Sequence, residues 1–256
     1  MARGRSIQTF ERLYIDGYDM SGYTIDCGER GAEYDEGTAF CLSDAVKGSI
    51  VGRPKVTFGP VNGVFDNTAT TGIHVLANAA AGAKRYLMHM RGGRAVPAIG
   101  DDAFCAVMFQ QAYMMTEGDN TSTVSMTFTG PDASAGMNYG SHWGAVLHAF
   151  GSETGANAAN TNHDNGAATT KGGWLMYQIY SITGAGTATI SIDDSANGTS
   201  WLALSGATSG AISNSAAPVA GIVQLGTTAT VRQYLRWQLA LSSSTACTFS
   251  LAFMRG

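Results

Sequence analysis

The chain has 256 residues, 45% of them hydrophobic, enough to bury a large core as one big domain or two ordinary ones. Only 13% are charged, against a typical share of roughly 25%, and a net charge of −4 excludes the basic stripe that a DNA-gripping domain needs. The 33 glycines and the abundant Ser, Thr, Ala and Asn suit short strands joined by tight turns, and scarce charge also suits surfaces that other subunits cover.

Residues 1–12 carry Arg3, Arg5 and Arg12 with no apolar run behind them, so no signal peptide is expected. No stretch approaches the roughly 20 apolar residues of a membrane-spanning helix. Leu13–Ile15 reads as a strand, and Asp16-Gly17 after it as a tight turn, because glycine accepts positive φ. Ser21-Gly22 marks a second turn. Residues 28–41 are polar and glycine-rich, with Glu29, Glu33, Asp35 and Glu36, and predict a long mobile loop or an extended hairpin. Ser43 and Asp44 could cap a short helical turn.

Lys55–Phe58 reads as a strand, continued by Val61–Phe65. Asp66–Thr71 offers N-cap residues, and Ile73, Leu76, Ala77 and Ala80 recur at helical spacing. A helix is therefore predicted over 71–81, ended by Gly82. Arg85–Met90 and Phe104–Met115 read as strands; the second is apolar almost throughout and predicts burial on both faces. Thr123–Thr129 alternates, with Val124, Met126 and Phe128 on one side, and Ala145–Phe150 is a further strand.

Gly151–Gly173 nearly lacks large apolar residues and predicts a functional loop or linker. Beyond it, Trp174–Thr183, Thr187–Ile192, Val231–Leu241 and Thr248–Phe253 read as strands. Turn signals stand at Gly184-Ala185-Gly186, Asn197-Gly198 and Ser205-Gly206. In Val231–Leu241, the residues Val231, Leu235, Trp237, Leu239 and Leu241 share one face, a sandwich pattern.

Catalytic and metal-binding motifs are absent. The four cysteines, Cys27, Cys41, Cys105 and Cys247, form no CxxC pair. Cys105 and Cys247 read as small buried hydrophobes, and Cys27 and Cys41 are a possible pair that spacing does not decide. Ile192–Gly198 is acidic and ends in glycine but lacks the closing glutamate of a calcium loop, so a solvated hairpin is the better reading. The carboxylates of residues 28–41 have nothing beside them to split their pKa values as a glycosidase pair requires. His74 reads as a packing or surface residue on the helix. His142-Trp143 reads as an aromatic cluster before a stacking platform. Few acid–base candidates remain, and no enzyme, metal or cofactor is expected.

Three segments in order carry a family resemblance. LYIDGYDMSGYT (13–24) precedes LSDAVKGSIVGRPKVTFGPVNGVFDNTATTGIHVLA (42–77), and the closing part holds ATISIDDSANGTSWLALSGAT (188–208), ATVRQYLRWQLAL (229–241) and TFSLAFMRG (248–256). Together they resemble the major tail tube proteins of long-tailed, siphovirus-type phages, in which a strand pair leads to an (S/T)D…K…G…GxFD stretch and a short helix. The closing segment resembles the family's SxDGxxW…RYxRw…FxxxFxR pattern, with Asn197 where the family has Asp and Gln233 where it has Arg.

The resemblance implies an all-β fold with one short helix: a tail-tube-type β-sandwich or barrel domain over 1–150, a Gly/Asn-rich loop or linker over 151–173, and a C-terminal β-sandwich over 174–256. It further implies a structural virion protein made in the host cytoplasm. Copies would form rings, probably hexameric, stacked into a tube with other tail proteins at its ends, through which DNA passes unbound during ejection. The loop with Gly28, Glu29, Glu33, Asp35, Glu36 and Phe40 is then the candidate ring-to-ring contact. Two alternatives stand beside this: a capsid decoration protein, and a carbohydrate-binding sandwich using Trp174, Trp201 or His142-Trp143.

Overall fold

The structure is a computed structural model that describes residues 10–39, 48–93, 96–119, 121–131, 142–157 and 159–256. It is all-β with one short helix. Strand β1 (Glu11–Ile15) turns at Asp16-Gly17 into β2 (Tyr18–Asp19). Both turn residues have positive φ, 53° and 82°, the type I′ geometry whose twist matches that of the flanking strands. Next come β3 (Thr24–Asp26), β4 (Arg30–Ala39), β5 (Gly48–Phe58) and β6 (Val61–Val64). The helix α1 (Ile73–Asn78) precedes β7 (Lys84–Arg91), β8 (Asp102–Thr116), β9 (Thr123–Pro131), β10 (Trp143–Glu153) and β11 (His163–Asp164). The chain closes with β12 (Gly173–Ser195), β13 (Leu202–Thr208), β14 (Ile212–Ser213), β15 (Val219–Gln224) and β16 (Tyr234–Arg255).

One antiparallel sheet carries most of these strands, in the order β13-β12-β16-β10-β8-β7-β1-β2. A branch runs from β8 through β9 and β6 to β3, while β14 and β15 add to β12 and β11 adds to β16. Among the described residues, β4 and β5 alone stand apart, as a two-stranded sheet of their own.

Alternating side chains of the shared strands feed different cores. In β1, Leu13 and Ile15 join Phe58, Ile73, Leu87, Phe104, Val124 and Met126, while Tyr14 points to the other face with Met88, Cys105, Val146, Trp174 and Met254. In β12, Trp174 and Met176 join that second cluster, while Leu175 and Ile179 enter a third with Ile190, Leu235, Trp237, Leu239, Phe249 and Leu251. The apolar face expected for Val231–Leu241 is present: Val231, Leu235, Trp237 and Leu239 are buried and Leu241 packs against them.

The structure departs from the sequence reading in four places. The helix is shorter than 71–81, because the Asp66 carboxylate accepts the Thr68 N–H (2.7 Å) in a local turn and α1 starts from Gly72 with no side-chain cap. In β8, burial on both faces holds for Ala103–Met108 and then ends: Met114 and Met115 are 64% and 47% exposed. Gly184-Ala185-Gly186 is no turn but an irregularity inside β12, which pairs Gly184 with Ser244 and Thr187 with Ser242. A Cβ on Gly186 would strike the Ser242 carbonyl, so the glycines admit a close strand crossing where a turn was read. Ser205-Gly206 likewise sits inside β13.

The segment 151–173 begins with the last residues of β10 and holds β11, which pairs with Leu235 and Tyr234 of β16. Cys41, Ser43 and Asp44 lie outside the described residues, so neither the Cys27–Cys41 pair nor the capped turn is described. Cys105 and Cys247 are fully buried.

A buried polar junction ties the first strands to the last. The Gly17 N–H donates to Gln178 Oε1 (2.6 Å), and Gln178 Nε2 donates to the Tyr86 carbonyl (3.0 Å). A Cβ at Gly17 would meet the Ile179 carbonyl and the Val219 nitrogen, so this turn needs glycine for its φ and for the contact alike. Beside it, Asp16 pairs with Arg85, whose Nη1 donates to Leu76 O and Gln110 Oε1, both at 3.1 Å. Burial pushes the Asp16 carboxyl up, and the Arg85 guanidinium pulls against it.

Candidate assembly surface

The residues predicted to join rings fall on the β4–β5 hairpin and its approach. The extended-hairpin alternative is what the chain adopts; a polar strand lacks the apolar alternation that would have distinguished it from a loop. Gly28, with φ 55°, crosses so close to Gly59 that any side chain would collide with that residue's carbonyl. The Glu29 carbonyl accepts the Gly59 N–H at 2.9 Å and starts the pairing. Glu29, Glu33 and Glu36 are exposed, as is Tyr34 at 60%. Asp35 lies within β4, and Phe40 lies outside the described residues.

The base of this hairpin is packed on the core. Near its base, β5 sends Val56 and Phe58 into the first core, with Phe58 against Phe104 (5.9 Å between centroids) and edge-on to Phe128 (5.8 Å). Glu33 pairs across the ladder with Lys55, an opposite-charge pair. Past Lys55 the register shifts between Tyr34 and Glu36, and among the described residues β4 and β5 hydrogen-bond into no further strand. Ten strand residues extend about 34 Å. A lone two-stranded ribbon is marginal in water and offers free backbone on both edges.

The base also carries a charge cluster that sequence reasoning missed. Glu11 of β1 receives His89 Nε2 at 3.1 Å, with Arg91 Nε at 3.4 Å and Arg30 Nη2 of the hairpin at 3.8 Å. The His89 hydrogen bond is the largest influence holding the Glu11 carboxyl below its ordinary range, aided by the two guanidiniums. Burial is the largest influence on His89 and pulls its pKa down, so the ring is neutral at pH 7. These four residues come from separate segments, which leaves no local signal to read.

Other residues singled out in the sequence are structural. His142 is buried, its Nδ1–H donating to the Cys105 carbonyl (2.9 Å) and its ring against Phe104 and Trp174. Trp174 is buried, and Trp201 lies under the Arg236 guanidinium at 4.5 Å. Trp143, the other half of the candidate pair, is 36% exposed and meets Phe104 edge-on at 5.1 Å. His74 Nδ1 meets the Tyr113 hydroxyl at 2.8 Å and packs on Phe65. Asp193 holds Arg236 (2.8 Å) and Gln238 (2.9 Å), and Asp194 holds Arg232, so the acidic stretch before Asn197-Gly198 is neutralised within the sheet. Among the described residues, no group of three or more His, Cys, Asp or Glu could hold a metal ion, and no helix is long and apolar enough to cross a membrane.

Neither a protein-family profile nor a curated protein matches the sequence. Solved structures do. The Dit protein of phage SPP1, described as a paradigm of the hub adsorption apparatus of phages infecting Gram-positive bacteria, is 12% identical over 94% of this chain and 98% of that one, with a TM-score of 0.35. The phage P2 baseplate in its calcium-activated conformation is 8% identical over 96% and 98%, with a TM-score of 0.33. At these values no residue role is transferred from either.

Proposed function

We propose that the chain is a structural protein of a phage tail that assembles with copies of itself, using the β4–β5 hairpin as its intersubunit arm. The hairpin carries the reading: a long ribbon anchored at one end by Phe58 and the Glu11 cluster, paired with no other strand among the described residues. A second subunit that adds a strand to either edge, or packs on the exposed Tyr34 face, would complete it. The low charge of the chain agrees with surfaces that become covered, and the order of the tail-tube-like motifs at 13–24, 42–77 and 188–256 supports a tail component over a head one.

Ring formation and stacking into a tube are the finer part of the proposal. A head-to-tail contact that does not close propagates into a filament, whereas a closed contact stops at one ring. Electron microscopy of the purified chain at rising concentration tests both. Rings or tubes are expected. Single rings that never stack would keep the structural role and remove the tube; a strictly monomeric particle at all concentrations would overturn the reading.

A further inference from the structure

We infer that the cleft between the β1–β2 turn and β10 is a binding site for a neutral pyranose sugar. It is an open cleft of about 440 Å³ at which five separate segments meet: the β1–β2 turn, Tyr23, the approach to α1, the β10–β12 face, and Pro218 ahead of β15. Its size is that of a small-ligand pocket, and ligand pockets favour such meeting points.

The floor is an aromatic ring held from below. Phe150 is 49% exposed in the middle of a strand. A bulge puts it there: β10 pairs His148 with Leu251 and Gly151 with Phe249, so Ala149 and Phe150 together oppose Ser250 alone. Beneath, the buried Tyr14 ring stacks nearly parallel to Phe150, at 6.2 Å and 12°, and Tyr180 meets it edge-on at 4.7 Å. Tyr180 is fixed in turn by its hydroxyl, 2.6 Å from Ser250 Oγ. The exposed face of Phe150 is therefore rigid before any ligand arrives, which lowers the ordering cost of binding.

Around that ring stands a fringe of oxygens. Asp19 is exposed, with one carboxylate oxygen accepting the Ser21 N–H (2.9 Å). Tyr18, Tyr23, Thr70 and Thr71, each of which carries a hydroxyl, line the same cleft, and no basic side chain is among the described lining residues. Thr70 is held at φ 71°, a conformation that a β-branched residue adopts only under constraint and that collects at ligand sites. With Asp19 at its rim and no basic side chain among the described lining residues, the cleft disfavours an anion, and its lining joins apolar rings to polar groups. A pyranose matches it: one face of C–H groups to lie on Phe150, and a ring of hydroxyls to donate to Asp19 and exchange hydrogen bonds with the threonine and tyrosine oxygens.

This site lies apart from the hairpin, so its failure leaves the assembly proposal standing. The test is saturation-transfer NMR on the full chain with methyl α-glucopyranoside, methyl β-galactopyranoside, N-acetylglucosamine and rhamnose. Transfer to the C–H protons of at least one sugar is expected. Phe150→Ala should weaken that binding about tenfold or more, the value of a lost aromatic contact with its buried area. Phe150→Leu, which still covers Tyr14 and Tyr180, should do the same without touching the fold. Asp19→Asn should weaken binding about three- to tenfold, and Leu202→Ser, an exposed apolar change on β13, should leave it unchanged. No transfer from any of the four sugars, or full affinity in both Phe150 variants, would overturn the site. So would a change of self-association in the Phe150 variants without loss of sugar binding, which would make the cleft a contact between copies.

Discussion

The β12–β16 pair and the β4–β5 hairpin are both long antiparallel ribbons, and they differ in what lies against them. β12 and β16 run 23 and 22 residues, take β10, β11, β13, β14 and β15 as further partners, and bury Leu175, Ile179, Trp237 and Phe249. β4 and β5, at 10 and 11 residues, hydrogen-bond to no further strand among the described residues, and their Glu33, Tyr34 and Glu36 are exposed. Strand length therefore does not decide how a ribbon is covered; its further strand partners do. The first is finished within one chain. The second is anchored at its base by Val56 and Phe58 and, as we propose, is completed by another copy.

Stability measurements on each ribbon are the sharpest way to break this contrast. Phe249 is fully buried, stacked on His148 at 4.0 Å and edge-on to Trp237 at 5.7 Å. Phe249→Ala should cost about 3–5 kcal/mol in urea unfolding. Tyr34→Ala on the hairpin should stay within about 0.5 kcal/mol in the unassembled chain. Similar costs for the two would erase the distinction.

The junction between the β1–β2 turn and β12 comes next. Gln178→Leu strands the Gly17 N–H, leaves the Tyr86 carbonyl with the Asp16 N–H alone, and should cost about 1–3 kcal/mol. A neutral result would mean that the turn and β7 sit loosely on β12.

Acid should act on both regions. His89, His142 and His148 all have pKa values pulled down, chiefly by burial. The unfolded chain then binds protons that the folded chain refuses, so the stability these residues give is present above about pH 6.5 and is lost as pH falls below it. Glu11, whose pKa is also lowered, adds a second loss below about pH 4.5. Thermal melting followed from pH 7.5 to pH 4 should show a falling midpoint; a flat or rising one would contradict the buried neutral rings. Smallest of all, Glu33→Lys places like charges opposite each other at Lys55 and should cost about 0.2–1 kcal/mol, read as faster amide exchange near the hairpin base.

How much of this was legible depended on whether the signal was local. Alternation in Val231–Leu241 and Thr123–Thr129 mapped directly to buried faces, because a strand's two sides differ in solvent whatever its partners. The two glycines at 184 and 186 misled: Gly184 has a positive φ and Gly186 a close backbone approach, and glycine serves such needs within a strand as well as in a turn. The β8 run misled in the opposite way, since apolar residues such as Met114 and Met115 can lie outside as readily as inside. The hairpin was left open between loop and strand because its polar residues answer to no core. Of the sites, the Glu11–His89–Arg30–Arg91 cluster and the Phe150 cleft were invisible, each assembled from side chains that only the sheet order brings together.

The central claim is that the far end of the β4–β5 hairpin completes itself on another copy of the chain. Its most direct measurement compares the intact protein with a variant in which residues 35–53 are excised and Tyr34 is joined to Pro54 through Asn-Gly, the pair suited to a two-residue hairpin turn. Sedimentation across a concentration series should show the intact chain forming higher assemblies. The variant, with Val56, Phe58 and Arg30 still in place, should remain a folded monomer with an unchanged melting midpoint. Equal assembly by both proteins would contradict the account.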